Sequence, residues 1–287
     1  MSYRSIFRPD LFADRTVIVT GGGSGIGRCT AHELAALGAS VIVVGRKLEP
    51  LEAVVAEIVE DGGRAESAGC DIRDPEQVAA MVAGVLERHP RIDGLFNNAG
   101  GQFPSPLEFI SPNGFDSVLR TNLTGGFLLM REVYQRSMQK HGGAVVNVLA
   151  DMWGGMPGMG HSGAARAGME NLTRTAAVEW ARSGVRVNAV APGWIASSGL
   201  DTYEGAARAL IPRLKESVPL KRLGTEAEVS AAVCFLLSEA AAYISGATLK
   251  VDGAGSLGGR IWPMAEHEGT ESFEGFHRAV KPKVLQS

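Results

Sequence analysis

The chain alternates short apolar runs with longer stretches of helical period. Runs at 16–20, 41–44, 65–70, 94–97, 144–148, 185–190 and 248–251 have the length of strands. Most are rich in β-branched residues, as in Val41, Ile42, Val43 and Val44, which lie between Ala39-Ser40 and Gly45. Between them, helical spacing predicts helices over 26–37, 48–61, 75–88, 112–140, 163–182 and 225–238. The second carries apolar residues at Leu51, Val54, Val55 and Ile58 and is ended by Gly62-Gly63. Pro75 suits the first turn of the third, and Thr225 with Glu228 three residues on spells a capping box for the last. This regular alternation predicts a single α/β domain over 1–255, with a parallel sheet of about seven strands and helices on both faces. Residues 196–218 break the pattern and read as a lid over a ligand. Residues 256–287, polar and weakly periodic with Trp262 and two prolines, read as an arm across a neighbour or a loose end.

Composition changes this picture little. Of 287 residues, 45% are hydrophobic and 21% charged, and the net charge of -3 gives no basic surface for nucleic acid or anionic membrane. A phosphorylated ligand must therefore be held by local positive groups. Cys29, Cys70 and Cys234 are odd in number, widely spaced and form no CxxC pair, the usage of a reduced compartment. No signal-peptide pattern or 18-residue apolar run is present and the chain ends Leu285-Gln286-Ser287 rather than Ser-Lys-Leu, so a cytoplasmic protein is expected. No residues have metal-ligand spacing, and no metal is expected.

The candidate chemistry begins at Thr20-Gly21-Gly22-Gly23-Ser24-Gly25-Ile26-Gly27, between the first strand and the first helix. Glycines let the backbone turn sharply and approach a pyrophosphate, while free N–H groups and the positive helix end attract its charge. A dinucleotide on a Rossmann-like doubly wound sheet is expected; the alternative is a surface turn without a ligand. After the second strand such folds carry either an acid for the adenosine ribose or an arginine for a 2′-phosphate. Here Gly45 is followed by Arg46-Lys47. Arg46 can stack on adenine and pair with the phosphate as a fork, so NADP(H) is expected over NAD(H). The alternative is that both residues merely open a solvated helix.

The spacing TGxxxGxG, with Asp71, Asn97-Asn98-Ala99-Gly100, Asn122 and Pro192-Gly193 in order, resembles the short-chain dehydrogenase/reductase family over about residues 14–255. Within it, the stretches 100–103, 121–125 and 161–168 look most like peroxisomal trans-2-enoyl-CoA reductases. The resemblance implies that Asp71 and Ile72 lie beside adenine, that Asn98, Ala99 and Gly100 close over the adenosine ribose, and that Pro192, Gly193 and Ile195 meet the nicotinamide. It further implies a helix irregularity at Asn122, whose backbone orders a water, and a homo-oligomer, a dimer or tetramer.

The resemblance also exposes a departure. Where most members carry a serine and a Tyr-x-x-x-Lys, this chain has Leu149 or Ala150, Ser162 and Arg166. Reducing a ketone makes a basic alkoxide and calls for a poised acid, for which a guanidinium is a poor choice. Reducing the double bond of an α,β-unsaturated thioester leaves a less basic enolate that needs hydrogen-bond donors. Ser162 and Arg166, one turn apart on one helix face, can supply an O–H and a charge, with His161 and Asp151 as candidate proton relays. An acyl-thioester substrate is the first expectation, and an NADP(H) alcohol or aldehyde dehydrogenase of citronellol type, or a cofactor-binding chain without turnover, the alternatives. Competing structural readings are an Arg166–Glu170 pair at i,i+4, Ser162 satisfying backbone N–H groups, and a packed His161. Met152, Trp153, Met156 and Met159 either line an acyl channel or pack a lid. Tyr203, in the lid, is a possible acid brought in on closure or an exposed tyrosine.

Overall fold

The computed structural model describes residues 2–257 and 264–286; Trp262 lies outside them. Seven parallel strands form one sheet in the order β3-β2-β1-β4-β5-β6-β7. They are β1 (Thr16–Thr20), β2 (Ser40–Gly45), β3 (Arg64–Gly69), β4 (Gly94–Asn97), β5 (Gly143–Val148), β6 (Val185–Pro192) and β7 (Thr248–Val251). Helices α1 (Gly25–Ala36), α2 (Leu48–Glu60) and α3 (Pro75–Arg88) make the crossovers of the first half. The chain reverses its direction of travel across the sheet between β1 and β4, which opens a crevice at the carboxyl ends of those strands. Two apolar layers enclose the sheet. Ile18, Ile42, Leu95, Val145 and Val187 face one and Val17, Val41, Phe96, Val146 and Val190 the other, the alternation that a two-sided buried sheet requires.

The stretch 112–140 is not one regular helix. It runs as α4 (Pro112–Leu119), a π-helical turn (Arg120–Thr124), α5 (Gly125–Val133), a second π-helical turn (Tyr134–Met138) and a last turn, α6 (Gln139–His141). The first widening falls on Asn122, and side-chain periodicity does not register an extra backbone residue of this kind. Helix α7 (Gly160–Glu179) starts three residues before its expected 163. Leu107 lies over its first residue, Gly160: a Cβ there would stand 2.9 Å from Leu107 Cδ1. Segment 196–218 holds a 3₁₀ turn (Ser198–Thr202), the short α8 (Gly205–Leu210) and a second 3₁₀ segment (Ile211–Ser217). Helix α9 (Glu226–Leu237) begins with the expected capping box on Thr225 and Glu228.

The C-terminal segment lies along its own chain instead of trailing as a loose end. Arg4 N donates to Gly275 O, and Phe276 packs on Tyr3, His32 and Arg28 of the N-terminus and α1. Arg278 reaches Glu60 and Asp61 at the end of α2. Further on, the N–H groups of Lys283 and Val284 donate to Asp201 in segment 196–218. Among the described residues no helix is long and apolar enough to cross a membrane, and no group of His, Cys, Asp and Glu is placed to hold a metal ion.

Candidate active site

At the carboxyl end of β1 the chain turns on Gly21 and Gly25, both with positive φ. Gly27 is required by contact: a Cβ there would stand 2.7 Å from Asn98 Nδ2 and strike the Gly21 carbonyl. Ser24 occupies the N-cap of α1 but makes no side-chain cap bond, so the first-turn N–H groups have no side-chain acceptor there. Ile26, partly buried, packs under the turn. Thr20 is fully buried and so is no direct ligand contact. Its hydroxyl accepts from the N–H groups of Asn98 (2.9 Å) and Ala99 (2.8 Å), and its carbonyl accepts from Asn98 Nδ2. Thr20 thus fixes the loop after β4 against the glycine turn.

Arg46 and Lys47 stand exposed where β2 meets α2, and Lys47 is the N-cap of that helix without a side-chain cap bond. Two cations at the positive end of a helix dipole oppose it, an arrangement that an anion in front of them would relieve. Asp71 is held by Arg73, whose Nε and Nη2 donate to both carboxylate oxygens. These bonds, with burial opposing and the charge of Arg46 adding, push its carboxyl down to about 2. Asp71 is therefore a shared acceptor rather than a free one, and Arg73 is a cation that the sequence reading missed. Ile72 is buried beneath Gly125 of α5, so its side chain serves the core and leaves only backbone for the crevice.

Helix α7 carries the centre of the site, and a polar chain through the sheet sets its position. Asn97 Nδ2 donates to Asn147 Oδ1, Asn147 Nδ2 to Thr173 Oγ1, and Thr173 Oγ1 to Met169 O. Asn147 and Thr173 are positioning residues with no signal in the sequence, since each looks like an ordinary polar residue until β4, β5 and α7 meet.

Arg166 enters the crevice from this helix, only 9% exposed. Its Nη1 donates to Val148 O at the end of β5, its Nη2 lies against Gly100, and its Nε has no partner among the described residues. Burial pushes its pKa down to about 10, which leaves it a cation at neutral pH, and no carboxylate among the described residues pairs with it. Glu170, the i,i+4 candidate, is held instead by Arg174 at 2.6 Å. Asn122, on the π-helical turn, makes both of its hydrogen bonds to one residue among those described: its Oδ1 accepts from Gly101 N (2.8 Å) and its Nδ2 donates to Gly101 O (2.9 Å). It holds the loop 100–103 in place.

Ser162 is wholly buried, and its hydroxyl donates to Gln102 Oε1 at 2.6 Å instead of serving backbone N–H groups. Gln102 Nε2 in turn donates to Tyr203 Oη at 3.1 Å. His161 is also wholly buried; its Nδ1 accepts from Ser162 N, and its ring meets the Phe103 ring edge-on at 4.5 Å. With Nε2 unpartnered among the described residues, His161 has no hydrogen-bonded path to the crevice, and the relay role does not hold for it in this geometry. Asp151 does reach the cavity. About 360 Å³ lies between Gln102, Asp151, Met156, Met159, Trp194 and Ser217. Pro192 and Gly193 form its floor, with Gly193 N donating to Val251 O, while Ile195 is buried and bridges to Gly224. Of the four apolar loop residues, Met156 and Met159 line the cavity; Met152 joins the core and Trp153 turns outward under Lys250 Nζ at 4.1 Å. A larger cavity of about 580 Å³, beside Arg15, Asp93 and Arg186, opens at the opposite, amino end of the strands, away from every residue of this site.

The sheet order, the glycine turn and the strand-end cavity are those of a doubly wound, nucleotide-binding type of fold. Residues 21–255 match the enoyl-(acyl carrier protein) reductase family profile. The chain is 37% identical to the peroxisomal 2,4-dienoyl-CoA reductase of Danio rerio, over 89% of this chain and 86% of that one. It is 39% identical to the probable 2,4-dienoyl-CoA reductase of Bacillus subtilis, over 83% and 95%. Among solved structures it is similar to the citronellol catabolism dehydrogenase (AtuB) of Pseudomonas aeruginosa, with 64% identity, a TM-score of 0.81 and coverage of 88% and 100%. The chain belongs to the short-chain dehydrogenase/reductase family and is an oxidoreductase; that family uses a nicotinamide dinucleotide. The residues fit such a group: an uncapped helix end behind a glycine turn, exposed cations beyond β2, and a buried guanidinium with no counter-ion among the described residues.

Proposed function

We propose that this protein reduces the carbon–carbon double bond of a 2-enoyl thioester with NADPH. The observation that carries the reading is the residue pair on α7: Ser162 and Arg166 stand where the family's tyrosine and lysine are expected, and α7 presents neither a phenol nor an amine to the crevice. When bound, the reduced dinucleotide supplies a hydride to the β-carbon. Gly21, Ser24, Gly25 and Gly27 hold its pyrophosphate, Arg46 and Lys47 its 2′-phosphate, Asp71, Asn98, Ala99 and Gly100 its adenosine half, and Arg166 with Pro192 and Gly193 its nicotinamide ribose and ring. The developing enolate needs donors and no strong acid, and Arg166, a cation that reprotonates poorly, suits a charge-holding task. Met156 and Met159 offer an adaptable apolar wall for an acyl chain. The two dienoyl-CoA reductase relatives support this reading.

A second reading, an NADP(H)-dependent dehydrogenase of a terpenoid alcohol or aldehyde, is favoured by the 64% identity to the citronellol catabolism dehydrogenase. One spectrophotometric panel separates the two. NADPH consumed with 2-enoyl-CoA and not with ketones or aldehydes supports the first, NADP⁺ reduction with citronellol supports the second, and cofactor binding without turnover on any substrate defeats both. A homo-oligomer belongs to the same proposal, on the resemblance to the family; sedimentation tests it.

A further inference from the structure

The hydrogen bonds at Gln102 link the front of α7 to the lid. Ser162 is wholly buried and spends its proton on Gln102 Oε1, so it is in no position to donate to a substrate. That bond turns the amide, and Gln102 Nε2 then faces the Tyr203 oxygen. A phenol that accepts from the amide keeps its own proton for another partner. Gln102 lines the 360 Å³ cavity together with Ser217 of the same lid, so this phenol stands one hydrogen bond from the cavity wall. The Tyr203 ring packs on Leu200 and Ile211 of the lid and on Val284 of the C-terminal segment, and Asn122 fixes Gly101 next to Gln102.

The geometry points to Tyr203 as the proton donor of this site, carried on the lid and aimed by Gln102, with Ser162 as the group that sets the amide's orientation. This deepens the proposed reduction and rests on it. The hydride adds to the β-carbon as the π electrons of the double bond move to form the enolate and the dinucleotide is oxidised. The Tyr203 O–H proton then goes to the α-carbon, and the phenolate is reprotonated from solvent. The acid missing from α7 is thus supplied from a different element. Tyr203 is the catalytic residue here; Gln102 and Ser162 are positioning residues.

Three variants test this: Tyr203→Phe, Gln102→Glu and Gln102→Ala. The kcat of each is followed against pH, and NADPH affinity is read by quenching of tryptophan fluorescence. Tyr203→Phe is expected to lower kcat by about 100-fold, to erase the alkaline limb of the kcat–pH profile and to leave the NADPH Kd within twofold. Gln102→Glu offers only acceptors, so the phenol must spend its proton on the carboxylate, and a comparable loss of kcat with a displaced alkaline limb is expected. Gln102→Ala frees the lid, and trypsin should cut faster at Arg208. The kinetics are run on whichever substrate class the wild type turns over. Absence of enoyl-thioester turnover defeats the preceding proposal, whereas a Tyr203→Phe protein with wild-type kcat and pH profile on the accepted class overturns this one. Should the wild type turn over neither class, cleavage of Gln102→Ala at the wild-type rate overturns it.

Discussion

Arg166 and Gly100 are packed so closely that a methyl group on Gly100 would stand 2.6 Å from Arg166 Nη2 and 2.9 Å from Asn122 Oδ1. The glycine after β4 is therefore the space into which the buried guanidinium fits. Gly100→Ala should displace Arg166 and raise the NADPH Kd by at least tenfold, since a charge-assisted hydrogen bond contributes about 1.5–3 kcal/mol. The neighbouring Gly101→Ala meets nothing within 4 Å and should bind like wild type. Equal affinity for the two variants by isothermal titration would refute the assignment.

A cation buried without a counter-ion is costly to the empty protein and useful to the loaded one. Arg166→Met removes that cost along with the hydrogen bond to Val148, and the thermal midpoint without cofactor should shift by less than about 4 °C, equivalent to roughly 1 kcal/mol. The stabilisation that saturating NADPH gives the wild type, about 2.7 kcal/mol at 100 times Kd, should fall to about 1.4 kcal/mol or less in the variant at the same NADPH concentration. Thermal melts with and without cofactor check both numbers, and an undiminished cofactor response would count against Arg166 as a contact.

Arg46 faces solvent with Lys47 at the head of α2 and has no carboxylate partner among the described residues. Arg46→Ala should weaken NADPH by about 10–100-fold, the loss of one charge-assisted pair, and change NADH affinity little. A parallel loss for both nucleotides would mean that Arg46 acts on the adenine and not on a 2′-phosphate.

The C-terminal segment should loosen in acid. Burial pushes the His32 imidazole below its ordinary value despite the Glu57 hydrogen bond. Burial works against the Glu57 carboxylate as well, but hydrogen bonds from Arg28 and His32 hold it below the usual range. Arg278, and then the charge of His277, hold Asp61 down too. A base with a depressed folded value stabilises the fold above its unfolded pKa of 6.5 and loses that contribution as pH falls below it; the carboxylates follow lower down, through their own folded values. Amide exchange around Phe276 should therefore rise as pH drops from 7 to 5, after correction for intrinsic rates. Protection that grows on acidification would contradict this.

Breaking the polar chain that seats α7 should be felt as stability and as binding together. Asn147→Ala leaves Asn97 and Thr173 without their buried partner, costing about 1–3 kcal/mol, and moves the helix that carries Arg166. A denaturant melt reads the first effect and NADPH affinity the second; an unchanged melt would mean that the chain sits there without holding anything.

Much of this protein is legible along the sequence because the signals are local. The strands at 16–20, 94–97 and 248–251 and the helix at 75–88 coincide with the observed elements, since β-branched runs, proline at a first turn and glycine pairs act over a few residues. The glycine turn declared itself through its own steric demands. Two features lay outside local signals: α7 starts at Gly160, a residue type that reads as loop, and a π-helical turn at Asn122 leaves no trace in hydrophobic period.

The sequence by itself determined the α/β class, the family and the substitution of Ser162 and Arg166 for the usual tyrosine and lysine, all matters of residue type and spacing. Only the tertiary structure decided what those substitutions face. It turned Ser162 toward Gln102 instead of the crevice, sealed His161 inside, left Arg166 without a carboxylate among the described residues and brought the Tyr203 phenol to within 3.1 Å of a cavity-lining amide. Hydrogen-bond partners 60 and 101 residues apart in the chain are chosen by how strands and helices pack. The physical reason is that a side chain's charge and donors are fixed by its identity, whereas their use depends on what desolvates them and what stands opposite.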